Sequence, residues 1–233
     1  NLENRFTGWK DVGLTERGRQ EALFSAKQLI QQNLKICTIH TSLLKRAIQT
    51  TEIIIDKLNF PKKEIKLDWR LNERHYGALQ GLNKSETAKK YGEEKVLLWR
   101  RSYDIAPPLL LENDERHPKF NKKFKDIDCD LPIGESLKNV IERLSPFLDD
   151  YMDFIKNNPG NHLIVAHSNS LRAIIKILDK LSDKEIISVN IPTGVPLVYS
   201  LDNNLNVVKK EYLLDEDKLK EKQNIVANQG KAK

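Results

Sequence analysis

Apolar and polar positions along the chain follow two alternating patterns, one helical and one strand-like. Helices are predicted where apolar residues recur three or four positions apart, over residues 15–33, 84–91, 93–101 and 137–155. Short buried strands are predicted at ICTIHT (36–41), IKLDW (65–69) and HLIVAH (162–167). Because helices and strands alternate, the sequence predicts a three-layer α/β sandwich with a mostly parallel central sheet and helices on both faces.

The rest of the chain completes one predicted domain covering residues 1–233. Ser42 is expected to cap the helix that follows the first of these strands. Residues 103–134 carry several prolines and little periodicity, which predicts a long surface excursion. A helix is expected after His167, late strands are expected at 196–201 and 206–212, and the charged tail 211–233 is expected to be weakly structured.

The chain is basic, with a net charge of +6 and a pI of about 9.1. Lys and Arg are spread along the sequence without a stripe of interleaved aromatic residues, so we expect no nucleic-acid partner. A small anionic substrate, or simply a basic surface, explains the charge better. No apolar run reaches the ~18 residues of a membrane helix, and Cys37 and Cys129 lack metal or redox spacing, so we expect a reduced, cytoplasmic protein without membrane attachment.

Three stretches at the predicted carboxyl ends of strands carry polar side chains suited to chemistry. They are TSLLKRA with Arg46, LNERHYG with Glu73, and IVAHSNSLRA with His167. In open α/β sheets ligands bind at this edge, where helix N-termini offer N–H groups. Cations, N–H donors and a carboxyl group together suit a phosphate ester that must also exchange a proton.

Each of these residues also has an ordinary structural interpretation. A histidine that ends a strand is often bonded only to backbone, and an arginine on a helix is more often a surface ion-pair partner. Taken alone, Glu73 would be an ordinary acidic residue of a loop, and Arg100 and Arg101 could belong to a solvated helix face. On the residues alone, these alternatives stay open.

Longer motifs add a resemblance that covers nearly the whole chain. The segments NRFTGWKDVGLTERGRQEA, TSLLKRAIQTT, LNERHYGALQGLNKSE, WRRSYD, NIPTGVPLVY and ANQGKAK resemble the cofactor-dependent phosphoglycerate mutases of the histidine phosphatase superfamily. The resemblance implies interconversion of 2-phosphoglycerate and 3-phosphoglycerate in glycolysis and gluconeogenesis. It implies a phosphohistidine intermediate primed by 2,3-bisphosphoglycerate, no metal, and a homodimer or homotetramer.

The resemblance also assigns roles to individual residues. Glu73 is expected to donate and accept the proton, and His167 and Arg46 are expected to stabilise the transferring phosphoryl group. Small phosphorylated three-carbon acids are the expected partners. The expected substrate-binding residues are Asn1, Thr7, Gly8, Arg74, His75, Tyr76, Lys84, Arg100, Arg101, Ser168 and Asn169.

Two departures from the family pattern shape the expectations. The family's nucleophilic histidine lies in an RHG motif just before the segment that matches Asn1, and Met152 is the only methionine. We therefore expect an N-terminally truncated sequence that lacks the first strand and is inactive as written. Ser168 stands where the family usually has glycine, and a required positive φ would make serine costly there.

The sequence alone leaves two other functions open. A phosphatase of the same superfamily would let water accept the phosphoryl group. A protein that binds a phosphorylated ligand without catalysis is the third possibility. The excursion 103–134 and the Lys-ending tail favour the mutase, because in that family such elements close over the site and exclude water.

Overall fold

The structure is a computed structural model that describes residues 3–228. Its strands are β1 (Ile36–Thr41), β2 (Ile65–Leu67), β3 (Asn161–Val165), β4 (Leu197–Leu201) and β5 (Val207–Tyr212). The first helices are α1 (Glu16–Gln31), α2 (Lys45–Leu58), α3 (Lys84–Tyr91) and α4 (Glu93–Arg101). The later helices are α5 (Leu137–Asn157), α6 (Ser168–Leu178), α7 (Glu185–Ser188) and α8 (Glu216–Asn228).

The central sheet is parallel, as predicted. Its strand order is β2-β1-β3, and both outer strands pair with β1 in parallel register. Ile39 of β1 lies opposite Ile65 on one side and Leu163 on the other. β4 and β5 form a separate antiparallel pair.

Helices cover both faces of the sheet, which confirms the predicted three layers. Ile39 and Val165 pack with Ala26 and Leu29 of α1 and with Ile54 of α2. Neighbouring positions point the other way, because side chains alternate along a strand. His40 lies edge-on to rings of α5, and Ile164 packs on the cluster that α5 and α6 form together.

Several helix ends are set by local signals that the sequence already carried. Asn83 caps α3 by accepting hydrogen bonds from Ser85 N and Glu86 N. Gly92, at φ +88°, separates α3 from α4, and both helices have the predicted bounds. Ser136 caps α5 in a capping box with Asn139, and this helix continues through Pro146.

Other expectations were wrong in detail. The helix after β1 begins at Lys45 with Leu44 at its N-cap, so Ser42 does not cap it. β2 and β3 end two residues before the predicted limits, and His167 lies after β3 at the start of α6. The described part of the tail is not weakly structured, because residues 216–228 form α8, while residues 229–233 lie outside the described residues.

The excursion 103–134 contains only two short 3₁₀ turns, at Pro118–Phe120 and Lys122–Phe124, as regular structure. It is anchored in the interior, since Leu110 and Phe124 are buried. Phe124 packs with Trp9 and Leu44. Within residues 3–228, no helix is long and apolar enough to cross a membrane.

Candidate active site

Strand register brings the predicted chemical residues to one edge of the sheet. Thr41 and Val165 are paired at the carboxyl ends of β1 and β3, and Thr41 Oγ1 donates to Val165 O at 2.8 Å. The segments after them lead into α2 and α6, so Arg46 and Asn169 start from neighbouring points. The loop after β2 adds Glu73 at the same edge.

Glu73 lies at the N-terminus of α6. Its Oε1 atom accepts hydrogen bonds from Asn169 N at 3.1 Å and from Arg74 N at 2.8 Å. The free N–H groups and partial positive charge of a helix N-terminus favour a carboxylate there. The same groups would also favour a phosphate beside it.

His167 is buried two residues before Asn169, whose backbone N–H donates to Glu73. Its Nε2 atom is 2.7 Å from Ser42 Oγ. Burial holds the pKa of His167 well below its usual range, and the positive charges of Arg46 and Arg143 lower it further. The imidazole is therefore neutral near pH 7 and can take part in hydrogen bonding without carrying charge.

Arg46 reaches back to the segment before α1. Its Nη2 donates to Gly8 O at 2.8 Å and its Nη1 donates to Lys10 O at 3.3 Å. Burial lowers the pKa of Arg46, while Glu73 opposes that shift. Gly8 has φ +48°, and a Cβ there would lie 2.6 Å from Gln80 Oε1, so a side chain would be strained.

More cations lie around the Tyr76 phenol. Arg74 is only 1% exposed, stacks at 4.6 Å over the Tyr76 ring and donates through Nη2 to Arg100 O at 3.1 Å. Burial would raise the pKa of Tyr76, but Arg74 and Lys84 outweigh it and lower that pKa. Burial lowers the pKa values of Lys84 and Arg100, and their cationic neighbours add to that effect.

We call the positive groups that influence one another here the cationic cluster. Its members are Arg46, Arg74, Lys84, Arg100, Arg101 and Arg172. The Glu73 carboxylate acts on Arg46, Tyr76 and Arg172 of this neighbourhood, and Asp11 also acts on Arg46. Like charges gathered in a partly buried place repel one another, so an anion bound among them would be stabilised.

Some buried donors in the described residues have no acceptor. They are Arg74 Nε, Arg172 Nε and Asn72 Nδ2, while the ring nitrogens His40 Nδ1 and His75 Nε2 are also without a partner. A buried polar atom without a partner is costly. For the two arginines of the cationic cluster, an anionic ligand would supply the missing acceptor.

An ion pair supports the loop that carries Glu73. Arg143 Nε donates to Glu135 Oε1 at 2.7 Å, and both side chains are nearly fully buried. Arg143 also donates to Arg70 O and Asn72 O, and Glu135 Oε2 accepts from His75 N. We call Arg143 and Glu135 the support pair, because between them they hold the loop backbone.

The excursion crosses this loop at Gly77. Ala78 N donates to Pro108 O at 2.7 Å. Gly77 has φ +54°, and a Cβ there would lie 2.1 Å from Pro108 O. Only glycine fits this crossing without displacing one of the two backbones.

The structure brings most of the predicted site residues together. Glu73, His167, Arg46 and Asn169 meet at the N-terminus of α6, and Arg74, Tyr76, Lys84 and Arg100 adjoin them. Gly8 contacts Arg46, and Thr7, which is half-buried, lies directly before it.

Other predicted residues are placed less directly. Arg101 donates to Asn190 Oδ1 and to Val226 O and Ala227 O near the end of α8. Ser168 is exposed at the start of α6 and is not among the described residues with positive φ, so serine is unstrained there. Asn1 lies outside the described residues.

His75 does not face the cationic cluster. Its ring is fully buried beside Trp9, and its Nδ1 accepts from Gly77 N at 3.0 Å. Burial lowers the pKa of His75 to about 3, with a further contribution from Arg143. Its substrate-binding role stays a prediction, and the geometry gives it a supporting contact to the loop.

Sequence reasoning missed the support pair, Ser42 as the partner of His167, and Arg172. Arg172 carried a usable signal, because it lies three residues after Asn169 on a helix and therefore on the same face. The support pair carried no such signal, because its partners on the loop are distant in sequence. The bond from Arg143 to Arg70 O, for example, joins residues 73 positions apart.

A cavity of about 700 Å³ lies beside the site rather than at it. Its lining includes Trp9, Gln80, His117 and Phe124. It is bounded largely by the excursion, and neither Glu73 nor His167 lines it. Among the described residues, no group of three or more His, Cys, Asp or Glu side chains could hold a metal ion.

Fold and site together define a phosphate-handling α/β protein, and comparison with known proteins gives its family. The model of the histidine phosphatase superfamily (branch 1) matches residues 1–210, so the chain belongs to that superfamily. It is 48% identical over all 233 residues, covering 94% of the relative, to a 2,3-bisphosphoglycerate-dependent phosphoglycerate mutase from Hydrogenobaculum sp. (strain Y04AAS1).

Solved structures share the fold at low sequence identity. One is a mycobacterial glucosyl-3-phosphoglycerate phosphatase complexed with VO3, at 21% identity and a TM-score of 0.67 over 91% of each chain. Another is the α-ribazole phosphatase from Shigella flexneri, at 18% identity and a TM-score of 0.65 over 90% of this chain and 88% of that one. Similarity at this level confirms the α/β architecture alone.

Proposed function

We propose that the protein interconverts 2-phosphoglycerate and 3-phosphoglycerate through a phosphohistidine intermediate. The observation that carries the proposal is the carboxylate of Glu73, which lies between the N-terminus of α6 and the cationic cluster. The 48% identity to a relative named as such a mutase supports the same reaction.

Glu73 is the proposed proton donor and acceptor. Moving a phosphoryl group between neighbouring hydroxyls requires that one hydroxyl gains a proton and the other loses one. Glu73 keeps one carboxylate oxygen on two backbone N–H groups. These two bonds fix the plane of the carboxylate and therefore the direction of its other oxygen, Oε2. We assign the proton transfer to Oε2.

Arg46 and neutral His167 are the proposed partners of the transferring phosphoryl group. Arg46 supplies positive charge, and His167 supplies a ring nitrogen held near Ser42. Charge that develops on phosphoryl oxygens is stabilised by donors fixed in advance in a site that excludes water. The neutral state of His167 follows from its burial between two cations.

Four other members of the cationic cluster, Arg74, Lys84, Arg100 and Arg101, are the proposed binding residues for the substrate carboxylate and for 2,3-bisphosphoglycerate. That cofactor carries two phosphates and a carboxylate, and several arginine forks suit such a charge. The unpartnered Arg74 Nε fits this assignment. When bound, 2,3-bisphosphoglycerate would supply the phosphoryl group that primes the enzyme.

The accepting imidazole stays a prediction. The family pattern expects it in an RHG motif upstream of Asn1, together with a further strand. Sequencing the DNA upstream of the Asn1 codon tests this. A reading frame with no histidine after a strand-like run would contradict it.

Hydrolysis of a phosphate ester is the second candidate. It is favoured by the superfamily and by the phosphatase names of the structural neighbours, which share the fold. In a phosphatase water would take the phosphoryl group. The anchored excursion, whose Phe124 lies against Trp9, favours a covered site over an open one.

Two assays on the full-length protein separate these candidates. Formation of 2-phosphoglycerate from 3-phosphoglycerate is followed by coupling to enolase, with and without 2,3-bisphosphoglycerate, and phosphate release is followed in parallel. We expect interconversion that depends on the bisphosphate and exceeds phosphate release. Phosphate release without interconversion would replace the mutase by the phosphatase.

The location, binding partners and assembly of the protein are part of the same proposal. We propose a cytoplasmic enzyme that acts without metal, binds no nucleic acid or membrane, and assembles as a homodimer or homotetramer. Sedimentation and activity after treatment with a chelator test the assembly and the metal independence. A chelator that abolishes interconversion would contradict the metal-free proposal.

A further inference from the structure

Arg172 is a nearly fully buried arginine of α6, with 5% of its surface exposed. Its Nη1 donates to Asn169 Oδ1 at 3.2 Å, and its Nη2 donates to Ile186 O at 2.7 Å. Its Nε atom has no acceptor among the described residues. Arg172 therefore links the start of α6 to α7 and still retains an unused donor.

No ion pair joins Arg172 to a carboxylate within residues 3–228 at hydrogen-bonding distance. The positive charges of Arg74 and Arg101 disfavour the charged form of Arg172, while Tyr76 and Glu73 act in the opposite sense. Burial, followed by these two arginines, lowers the pKa of Arg172 to about 10. A buried cation without a matched carboxylate is costly, and a bound anion would reduce that cost.

The contact with Asn169 fixes which end of its carboxamide faces the site. A guanidinium has only donors, so the Asn169 atom that faces Arg172 must be the oxygen. The NH2 group of the same amide then points away from Arg172. The backbone N–H of Asn169 is bonded to Glu73 Oε1, so this residue borders the proposed phosphate site.

We propose that Arg172 is a positioning residue that holds the Asn169 carboxamide with its NH2 group toward the substrate phosphate. This inference rests on the proposed function and names a residue that acts behind the substrate-binding set. Without Arg172 the amide can turn over and present its oxygen, which a phosphate repels. The protein would then lose a charge-assisted hydrogen bond as well as part of the positive field.

A double-mutant cycle tests the inference in the full-length protein. The variants are Arg172→Met, Asn169→Ala and the double variant, and the readouts are the Kd for 3-phosphoglycerate and for inorganic phosphate by calorimetry. We expect Arg172→Met to weaken binding about 10- to 100-fold, the range of one charge-assisted hydrogen bond. In the Asn169→Ala background the same substitution is expected to cost much less, because both act through one contact.

Lys176→Met is the matched control. Lys176 lies on the same helix and also donates to a backbone carbonyl beyond it, Leu181 O at 2.6 Å, but it does not contact Asn169. We expect this control to lower thermal stability while ligand affinity stays within about twofold. An equal loss of affinity in the control would assign the Arg172 effect to helix anchoring and overturn the inference.

The outcomes separate this inference from the proposed function. Equal costs of Arg172→Met with and without Asn169 would show independent action and overturn the positioning role. Should Arg172→Met fail to fold, Arg172→Lys replaces it. Lysine keeps the charge, but its single terminal nitrogen does not reproduce the two-nitrogen fork that bonds Asn169 and Ile186. Weakened binding then supports the inference, and unchanged binding overturns it. Absence of interconversion in the wild type would instead defeat the proposed reaction, since the cycle is read from binding.

Discussion

Two arginines whose side chains lie in the interior have opposite surroundings. Arg143 pairs with the Glu135 carboxylate and also donates to three backbone carbonyls, so its charge is matched. Within residues 3–228, Arg172 donates only to uncharged oxygens, and its Nε has no acceptor. A buried cation with a matched carboxylate stabilises a loop, whereas Arg172 orients Asn169 and adds positive charge beside the anion site, so the two regions should respond differently to mutation.

The largest expected effect lies on the acidic side of the anion site. Glu73→Gln removes the proton shuttle but keeps an oxygen for the N–H groups of Arg74 and Asn169. We expect turnover to fall roughly 10²–10⁴-fold while phosphate binding persists. Steady-state kinetics and calorimetry on the same preparation measure both; near-normal turnover would contradict the assigned role.

The support pair should respond through stability instead. Arg143→Met leaves the Glu135 carboxylate buried without its cation. We expect the free energy of unfolding to fall by about 3–5 kcal/mol, as when one member of a buried ion pair is removed. Urea denaturation measures this loss. The Lys123→Met variant, which breaks an exposed contact with Asp11, is the control and should cost less than about 1 kcal/mol.

The next prediction concerns Arg100, at the edge of the cationic cluster. Arg100→Ala removes one positive charge beside Tyr76 and Arg74. We expect KM for 3-phosphoglycerate to rise about 10-fold with a smaller change in kcat, since the group holds substrate before and during reaction. An unchanged KM would return Arg100 to the ordinary surface interpretation.

His75 tests the support region through pH. Burial lowers the pKa of His75 to about 3, against about 6.5 in the unfolded chain. Between these values the unfolded state binds a proton that the folded state does not, so stability contributed by His75 is present above pH 6.5 and is lost as the pH falls.

His75→Asn removes this titration and keeps an acceptor that can face Gly77 N. The slope of unfolding free energy against pH, measured by urea denaturation between pH 4 and pH 6, should decrease by up to one proton. Lys119→Gln, an exposed neighbour of His117, serves as the control for nonspecific charge effects. An identical slope in His75→Asn would show that His75 is not buried in its neutral form.

Elements with local signals were predicted well from the sequence. α3 and α4 have the expected bounds because Asn83 and Gly92 mark their ends within a few residues. β1 was predicted correctly from an apolar run between polar turns. The helix α8 was missed because its charged composition resembles a solvated tail, and what holds its end, Arg101, lies 126 residues away.

The site was predictable in a different way. The predicted carboxyl ends of strands pointed to Arg46, Glu73 and His167, and the motif resemblance added Asn169; the structure brings these four residues together. Contacts that depend on the folded chain were not predictable, as with Ser42, which was expected to cap a helix and instead contacts His167. His75 shared the motif yet turned inward, since adjacent loop residues face opposite sides.

The crossing at Gly77 has a consequence for how the molecule responds to events at its periphery. Pro108 O lies where any side chain at Gly77 would be and accepts a hydrogen bond from Ala78 N, so the excursion and the Glu73 loop are in direct backbone contact. The excursion spans the crossing at Pro108 and the cavity lining at His117 and Phe124. A side chain introduced at Gly77 would therefore have to push the excursion away from the loop that carries Glu73, and would disturb the proton donor without changing any group that touches the substrate.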